Sequence, residues 1–584
     1  MIRDEATAPN PSTALARVLV DELVRCGVTD AVLAPGSRSA ALAMALHAEP
    51  SLRLHTEIDE RSAGFLALGI AKATGRPAPV VTTSGTAVAN LYPAVIEADA
   101  ARTPLIVLSA DRPPAMRHTG ANQTIDQVKL FGERVRWFVE LGVAEDVAGI
   151  VAYWRSTVSR AVADADGRRG PAGPVHVNAS FREPTVPASD DGRTVARPFT
   201  QPLEGRADGR PWTVVTRGAR VVPDEALRAF AARAAVVERG LVVVGETDAS
   251  PGPLLALARE LGWPVIAEPL SGARTSEVVI PTAHHLAGCA AFAESHVPDL
   301  VLRVGRSGLS RPVERMLGAE VAQVLVDADG AWLDPGRAIG ELIVGDPELF
   351  CAGVRDHLPT TREAGWLSDW QAADATAREV VDALLDEEER VTEPRAARDV
   401  GAAVADGGTL VVGSSMPVRD LDAYLEPRES LRVLGNRGAS GIDGFVSTTL
   451  GVALASPGPT VALTGDLSLL HDRNGFLLRT AGDVDATFVV VNNNGGGIFS
   501  FLPPGEYPDS LEAVFATPHD VDLADVARTH GLGYRRIDEP GALRGAVTDT
   551  VAEGGLHLVE VRTDRAANLA SHRRITAAVS AALD

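Results

Sequence analysis

Short apolar runs alternate along the whole chain with stretches whose apolar positions recur every three or four residues. The short runs, bounded by Gly, Pro, Asp or Asn, predict buried parallel strands, and the longer repeats predict helices between them. In a first block, residues 1–190, strands are expected at AVLAPG (31–36), PVVTTSG (79–85), PLIVLSA (104–110) and PVHVN (174–178). STALARVLVDELVRCG (12–27) reads as an amphipathic helix. A second block, 213–355, carries GLVVVGE (240–246), WPVIAEP (263–269), DLVLRVG (299–305), VAQVLVDADG (321–330) and ELIVGD (341–346). A third, 375–584, carries TLVVGSS (409–415), RVLGN (432–436), PTVALTGD (459–466), DATFVVVNNN (485–494) and LHLVEV (557–562). Pro/Gly/Asp-rich segments from Thr185 to about Trp212 and around HLPTTREAG (357–365) read as linkers. The prediction is an α/β protein of three consecutive parallel-sheet domains.

Composition narrows the function. A net charge of −22 argues against nucleic acid or an anionic membrane as partner. Lys72 and Lys129 are the only lysines, so an anionic substrate must be met by arginines gathered against the global field. No run of 18 apolar residues suggests a membrane span, and the N-terminus lacks the pattern of a secretory signal. Cys26, Cys289 and Cys351 are too scattered for a disulfide framework or a zinc site, and they are expected to be small core residues in a cytoplasmic protein.

Chemistry concentrates in the third block. Asp466 in GDLS (465–468) ends one expected strand, and Asn493 in NNNGGGIF (492–499) ends the next, 27 residues on. That interval suits one helix returning to an adjacent parallel strand, with both side chains at the carboxyl edge where open α/β sheets bind ligands. A carboxylate, an amide oxygen and a backbone carbonyl from the following glycine turn, Gly495, make a hard oxygen site suited to Mg²⁺ or Mn²⁺ beside phosphates.

The pair resembles the diphosphate-binding motif of thiamine-diphosphate enzymes, with Leu467 where most of that superfamily has glycine. The resemblance implies thiamine diphosphate as cofactor and the pyruvate oxidase/decarboxylase-like arrangement of three α/β domains. It also implies a carboxylate from the first domain that drives the cofactor's aminopyrimidine into its imino form. Glu57, Asp59 and Glu60 are the candidates by type, and Glu60 is the one followed by RSAGFLALGIAKATG, as in the superfamily. In that superfamily the first domain of one subunit faces the third domain of another, which implies a homodimer or homotetramer with its active site at the subunit interface.

Within the superfamily the chain is similar to the 2-succinyl-5-enolpyruvyl-6-hydroxy-3-cyclohexene-1-carboxylate (SEPHCHC) synthase (MenD) family of menaquinone biosynthesis. The segments that carry this are APGSRS (34–39), IDERSAGFLALG (58–69), TSGTAVANLYPAVIEA (83–98), SADRPP (109–114), GANQTIDQ (120–127), GPVHVN (173–178), GSSMPVRDLD (413–422), NRGASGIDGFVST (436–448), GDLSLLHDRNG (465–475) and NNNGGGIFSFLP (492–503). The family decarboxylates 2-oxoglutarate on the cofactor and adds the resulting succinyl carbanion equivalent to isochorismate. Both substrates are dicarboxylates, which calls for guanidinium forks and neutral donors. By resemblance, Ser415, Arg419 and Arg437 fall on the oxoglutarate side, and Ser37, Arg38, Asn122 and Gln123 on the isochorismate side, with Arg112 a further donor. Gly85, Thr86, Ser415, Met416, Ile442, Gly465, Asp466, Leu467, Ser468, Asn493 and Ile498 line the cofactor, Ile442 as the apolar prop and Ile498, Phe499 and Leu502 as a wall. The first block has no His-His pair of the kind many decarboxylases of the superfamily use, and Arg311 is followed by Pro312 where some relatives carry a second basic residue. An acetolactate synthase would need a flavin-binding middle domain, but 213–355 has no convincing GxGxxG loop. Another 2-oxo acid decarboxylase would carry GDG. A catalytically dead scaffold would not need Glu60, Asp466 and Asn493 together.

Overall fold

The computed structural model describes residues 8–187, 198–359, 365–478 and 484–584, so parts of both expected linkers, 188–197 and 360–364, lie outside the described residues. Three all-parallel sheets are present. The first contains β1 (Asp30–Leu33), β2 (Arg53–Thr56), β3 (Ala78–Thr82), β4 (Leu105–Asp111), β5 (Trp137–Val143) and β6 (Pro174–Ser180), in the order β2-β1-β3-β4-β6-β5. The second contains β7 (Gly240–Val244), β8 (Val265–Ala267), β9 (Leu300–Val304), β10 (Ala322–Asp327) and β11 (Glu341–Val344), in the order β11-β10-β9-β7-β8. The third contains β12 (Thr409–Val412), β13 (Arg432–Gly435), β14 (Thr460–Gly465), β15 (Ala486–Asn492), β16 (Gly533–Ile537) and β17 (Leu556–Arg562), in the order β13-β12-β14-β15-β17-β16. Central strands such as β1, β3, β4, β7, β9 and β12 are buried along their whole length, which is why they read as unbroken apolar runs.

By compactness the chain forms two units, one of 1–217, 436–456 and 468–485, the other of 218–435, 457–467 and 486–584. In the first unit the helix Glu60–Thr74 meets the helix Phe445–Ala455 at glycines: a Cβ on Gly69 would lie 2.1 Å from the Thr448 carbonyl oxygen, and one on Gly451 2.2 Å from that of Leu66. The described part of the first expected linker has no long strand or helix, yet it is tied down. Phe199 stacks on Trp154 at 5.7 Å, both fully buried, and the Trp212 N–H donates to Glu22. Burial of a ring of that size contributes about 2–3 kcal/mol, enough to hold this segment to the first sheet.

Each sheet reverses its strand order beside its first strand, and such a reversal is where open α/β sheets take ligands. In the first sheet the crevice lies between β1 and β3, bounded by 34–38 and 83–86. In the third it lies between β12 and β14, bounded by 413–416 and 465–467. In the second it lies between β7 and β9, and there it is sealed: Glu246 and Arg306 exchange backbone hydrogen bonds of 2.9 Å, and a Cβ on Gly245 would lie 1.9 Å from the Arg306 carbonyl oxygen. The central sheet thus closes this position with backbone pairing.

Candidate active site

In the second unit β14 and β15 are adjacent and parallel, with Gly465 opposite Val491. Asp466 follows β14 and Asn493 follows β15, so both stand at the carboxyl edge as the spacing predicts. The connection departs from the single expected helix. A six-residue helix, Asp466–His471, and a 3₁₀ turn, Arg473–Leu477, carry the chain to residues outside the described set.

Asp466 is 1% exposed. Its Oδ1 accepts the Leu467 N–H at 2.7 Å, and its Oδ2 accepts the Gly495 N–H at 2.9 Å and lies 3.2 Å from His519 Nε2. Burial pushes this carboxyl above its ordinary value, against those hydrogen bonds. A nearby cation would therefore favour the ionised form. Asn493 directs Nδ2 to Glu393 Oε1 at 2.8 Å, while its own Oδ1 is buried with no hydrogen-bond partner. Such an acceptor is costly unless something meets it, and a hard cation would. The Gly495 carbonyl oxygen accepts the Gly497 N–H at 3.0 Å and keeps its second lone pair. Gly495 has φ +139°, and a Cβ there would lie 2.1 Å from the Ala516 carbonyl oxygen, so glycine is required. This donor set fits a divalent metal carrying a diphosphate.

Across the same crevice β12 runs into Gly413, Ser414 and Ser415. Ser415 has φ +77° and caps the helix Met416–Tyr424, and Arg419 donates from that helix to the Ser415 carbonyl oxygen at 2.5 Å. Met416 is buried. Gly465 and Leu467 flank Asp466, and Ser468, 5% exposed, lies in the helix that Asp466 begins. Ile498 lies on the 3₁₀ segment Gly497–Phe501, where Phe499 packs on Phe515 at 5.4 Å.

In the first unit a second cluster gathers at the β1/β3 crevice. Arg112 donates to the Ser84 hydroxyl and, at 3.1 Å, to the Gln123 carbonyl oxygen; Gln123 Nε2 donates to the Ser84 carbonyl oxygen at 3.2 Å. Arg38, also buried, donates to the Phe181 carbonyl oxygen at 3.0 Å and pairs with Glu183 at 3.2 Å. The Arg112 guanidinium is held below its ordinary value, chiefly by burial and next by the Arg38 charge. Two buried guanidiniums close enough to repel would welcome an anion. Ser37, Asn122 and Gln123 have exposed side chains on this rim. Gly85, φ +85°, begins the turn to Thr86, and its N–H is fixed by Gln127 Oε1 at 2.9 Å. Gln127 was not singled out in the sequence, although it lies in GANQTIDQ; it also donates to Asn178 at 2.9 Å and is fully buried.

The three candidate carboxylates separate by environment. Glu57 is 1% exposed and accepts the Ile58 N–H at 2.8 Å. Asp59 caps the helix by accepting the Arg61 N–H at 2.9 Å and accepts Asn474 Nδ2 at 3.0 Å. Glu60, the first helical residue, is half-buried and accepts only a 3.3 Å bond from Asn90 among the described residues. It is the least committed of the three. Arg437 and Ile442 lie in the loop 436–444 of the same unit, where Glu97 accepts the Gly438 and Ala439 N–H groups at 2.8 and 2.6 Å. The Arg437 guanidinium is half-buried and pairs with nothing among the described residues, and Ile442 is 36% exposed. Arg311 opens the exposed start of the helix Arg311–Leu317 in the central sheet's layer. Cys289 and Cys351 are buried thiols and Cys26 is half-buried.

Comparison with known proteins agrees with this arrangement. Family models match residues 13–130 (thiamine pyrophosphate enzyme, N-terminal TPP binding domain), 203–412 (middle domain of thiamine pyrophosphate) and 416–561 (thiamine pyrophosphate enzyme, C-terminal TPP binding domain). A 2-succinyl-5-enolpyruvyl-6-hydroxy-3-cyclohexene-1-carboxylate synthase of Thermobifida fusca is 48% identical over 98% of this chain and 100% of its own length. Proteins of the same name from Saccharopolyspora erythraea (45% identical, 98% of this chain and 100% of its own) and Chloroflexus aurantiacus (43%, 97% and 96%) align equally fully. With full-length similarity at this level, the chain belongs to the SEPHCHC synthase family of thiamine-diphosphate enzymes.

Proposed function

We propose that the chain is a SEPHCHC synthase, a carbon–carbon bond-forming transferase that takes 2-oxoglutarate and isochorismate. The observation that carries this reading is the Asp466–Asn493 edge, where a buried carboxylate and a buried, orphaned amide oxygen follow two adjacent parallel strands. Asp466, Asn493 and the Gly495 carbonyl would hold Mg²⁺ or Mn²⁺ and through it the diphosphate. When bound, thiamine diphosphate supplies the nucleophilic carbon that attacks a 2-oxo acid and stabilises the charge left by decarboxylation.

The other roles belong to the chain. Glu60 holds a proton at the pyrimidine ring, and its half-open position leaves its carboxylate available for that bond. Gly85 and Thr86, anchored through Gln127, with Ser415, Met416, Gly465, Leu467, Ser468 and Ile498, shape the cofactor's berth, and Ile442 props it. Arg419 and Arg437 with Ser415 pair the carboxylates of 2-oxoglutarate, while Ser37, Arg38, Arg112, Asn122 and Gln123 receive isochorismate. Guanidiniums supply the local positive field that a chain of net charge −22 otherwise lacks. The site is assembled in a homodimer or homotetramer, with Glu60 and Asp466 of one site contributed by different subunits, and the enzyme works in the cytoplasm. Among the described residues no helix is long and apolar enough to cross a membrane.

The test is reconstitution of the metal-free protein with Mg²⁺ and thiamine diphosphate, followed by 2-oxoglutarate and isochorismate. Release of CO₂ with formation of the isochorismate adduct is expected. Turnover of pyruvate in place of 2-oxoglutarate with equal efficiency would point instead to a general 2-oxo acid decarboxylase.

A further inference from the structure

Asn493 can serve a cation only if its amide oxygen, not its nitrogen, faces the site, and nothing in the side chain itself fixes that choice. The two ends are nearly the same size, and rotation about the terminal bond exchanges an acceptor for a donor that would repel a metal. In the second unit Glu393 supplies what decides it. This residue lies 100 positions earlier in the chain, begins the helix Glu393–Ala403 and is 3% exposed. Its Oε1 accepts Asn493 Nδ2–H at 2.8 Å and the Thr563 hydroxyl at 3.1 Å. With Oε1 accepting both of these hydrogens, the amide nitrogen is turned toward Glu393 and Oδ1 is turned away, into the position where that oxygen is buried and unpartnered. The Asn493 carbonyl is held as well, by Arg565 at 2.8 Å, so the backbone cannot easily swing to compensate.

We propose that Glu393 is a positioning residue for the metal site: its carboxylate sets the orientation of the Asn493 amide and thereby preorganises Oδ1 as a ligand. This rests on the reading of Asp466 and Asn493 as metal ligands. Hydrogen-bond partners behind metal ligands commonly alter metal affinity by about 10–100-fold when removed. The role depends on an acceptor at position 393, not on its volume, and the two properties can be separated.

The experiment measures Mn²⁺ dissociation constants, from the signal of free Mn²⁺, on metal-stripped full-length protein with saturating thiamine diphosphate. Glu393→Gln keeps an acceptor oxygen and should stay within about threefold of wild type, whereas Glu393→Leu should bind about tenfold or more weakly. A polarity swap makes the stricter test. Asn493→Asp alone sets two carboxylates against each other and should weaken binding; adding Glu393→Gln gives that pair a donor again and should recover most of the loss. A purely structural Glu393 would not produce that recovery. Wild-type affinity in a folded Glu393→Leu variant would overturn the proposal. If that variant does not fold, a double variant no better than Asn493→Asp alone overturns it. Should Asp466→Ala bind Mn²⁺ as tightly as wild type, the metal-site reading itself fails, and this outcome is distinct from a failure confined to Glu393.

Discussion

At the scale of single residues, the useful contrast is between acids a few positions apart. Glu60→Gln should nearly abolish turnover while leaving thiamine diphosphate affinity within about tenfold, because the carboxylate acts on the ring while metal and diphosphate contacts dominate binding. Isothermal calorimetry beside steady-state kinetics checks both halves. Glu57→Gln should keep its activity and change the pH dependence of stability instead. Burial pushes the Glu57 carboxyl up to about 7, against the pull of the Ile58 and Asp59 N–H groups. A folded-state value above the ordinary 4.5 means that the native protein holds an extra proton between roughly 4.5 and 7. Wild-type stability contributed by this group is then fully present at low pH and declines as pH rises through that window. Glutamine removes the titration, so the melting temperature of Glu57→Gln relative to wild type should rise from pH 5 to pH 8; a constant difference would assign the burial another consequence. Arg437, whose guanidinium has no partner among the described residues, is expected to read the distal carboxylate of 2-oxoglutarate. Losing a charge-assisted hydrogen bond, about 1.5–3 kcal/mol, should raise the KM for 2-oxoglutarate in Arg437→Ala about tenfold or more. Equal losses for 2-oxoglutarate and pyruvate would show that Arg437 shapes the site without reading that group. Residue-scale legibility was uneven. Asp466 and Asn493 stood out because their spacing encodes adjacent strands, whereas Glu393 did not, because Thr392-Glu393-Pro394 looks like any capped helix start and its partner is distant in sequence.

At the scale of elements, burial decided what could be read. Strands covered on both faces appear as apolar runs, and the inner strands of all three sheets were visible in this way. β2, β5 and β16 were not, and all three are edge strands with partly exposed faces: RLHT, WFVELGV and GYRRI interrupt their apolar positions with charged or polar residues. Edge position removes the pressure for continuous hydrophobicity. The described part of the first linker escaped for the opposite reason, since isolated residues such as Phe199 and Leu203 anchor it without any period. Helix contacts were likewise invisible, because a glycine in a helix does not announce what crosses it. The crossing of Glu60–Thr74 with Phe445–Ala455 gives a prediction of sign. Alanine is favoured over glycine in a helix by about 1 kcal/mol. At Gly69, however, its Cβ would fall 2.1 Å from a backbone oxygen, and relieving such overpacking costs about 1–3 kcal/mol. Gly69→Ala should therefore lower the melting temperature, while Gly170→Ala, with open space around it, should leave it nearly unchanged. A stabilised Gly69→Ala protein would mean that the helices separate at little cost.

At the scale of the whole molecule, the second sheet seals its strand-reversal crevice, while the first and third carry at theirs the residues proposed for substrate and cofactor. The alternation of runs predicted three sheets, but it could not say which crevices are usable, since closure of the central one depends on the Glu246–Arg306 backbone pairing between two turns. Nor could it reach the assembly, because subunit contacts leave no period in a sequence. The proposal that each site takes Glu60 from one subunit and Asp466 from another can be tested without a structure of the oligomer. Glu60→Gln and Asp466→Ala should each be nearly inactive alone, because every site of a pure mutant carries the defect. In a dimer with one chain of each kind, both defects fall in one site and the other site is wild type. Random pairing of co-expressed chains places about half the molecules in that mixed class, each with half its sites intact, so about a quarter of wild-type activity should return. If both groups of a site came from one chain, every site in the mixture would still carry a lesion, and co-expression would restore nothing. The comparison needs only differently tagged chains, purification of the mixed species and a rate measurement. Activity in the purified mixed dimer near half that of wild type supports the shared site, and activity no higher than the two parents excludes it.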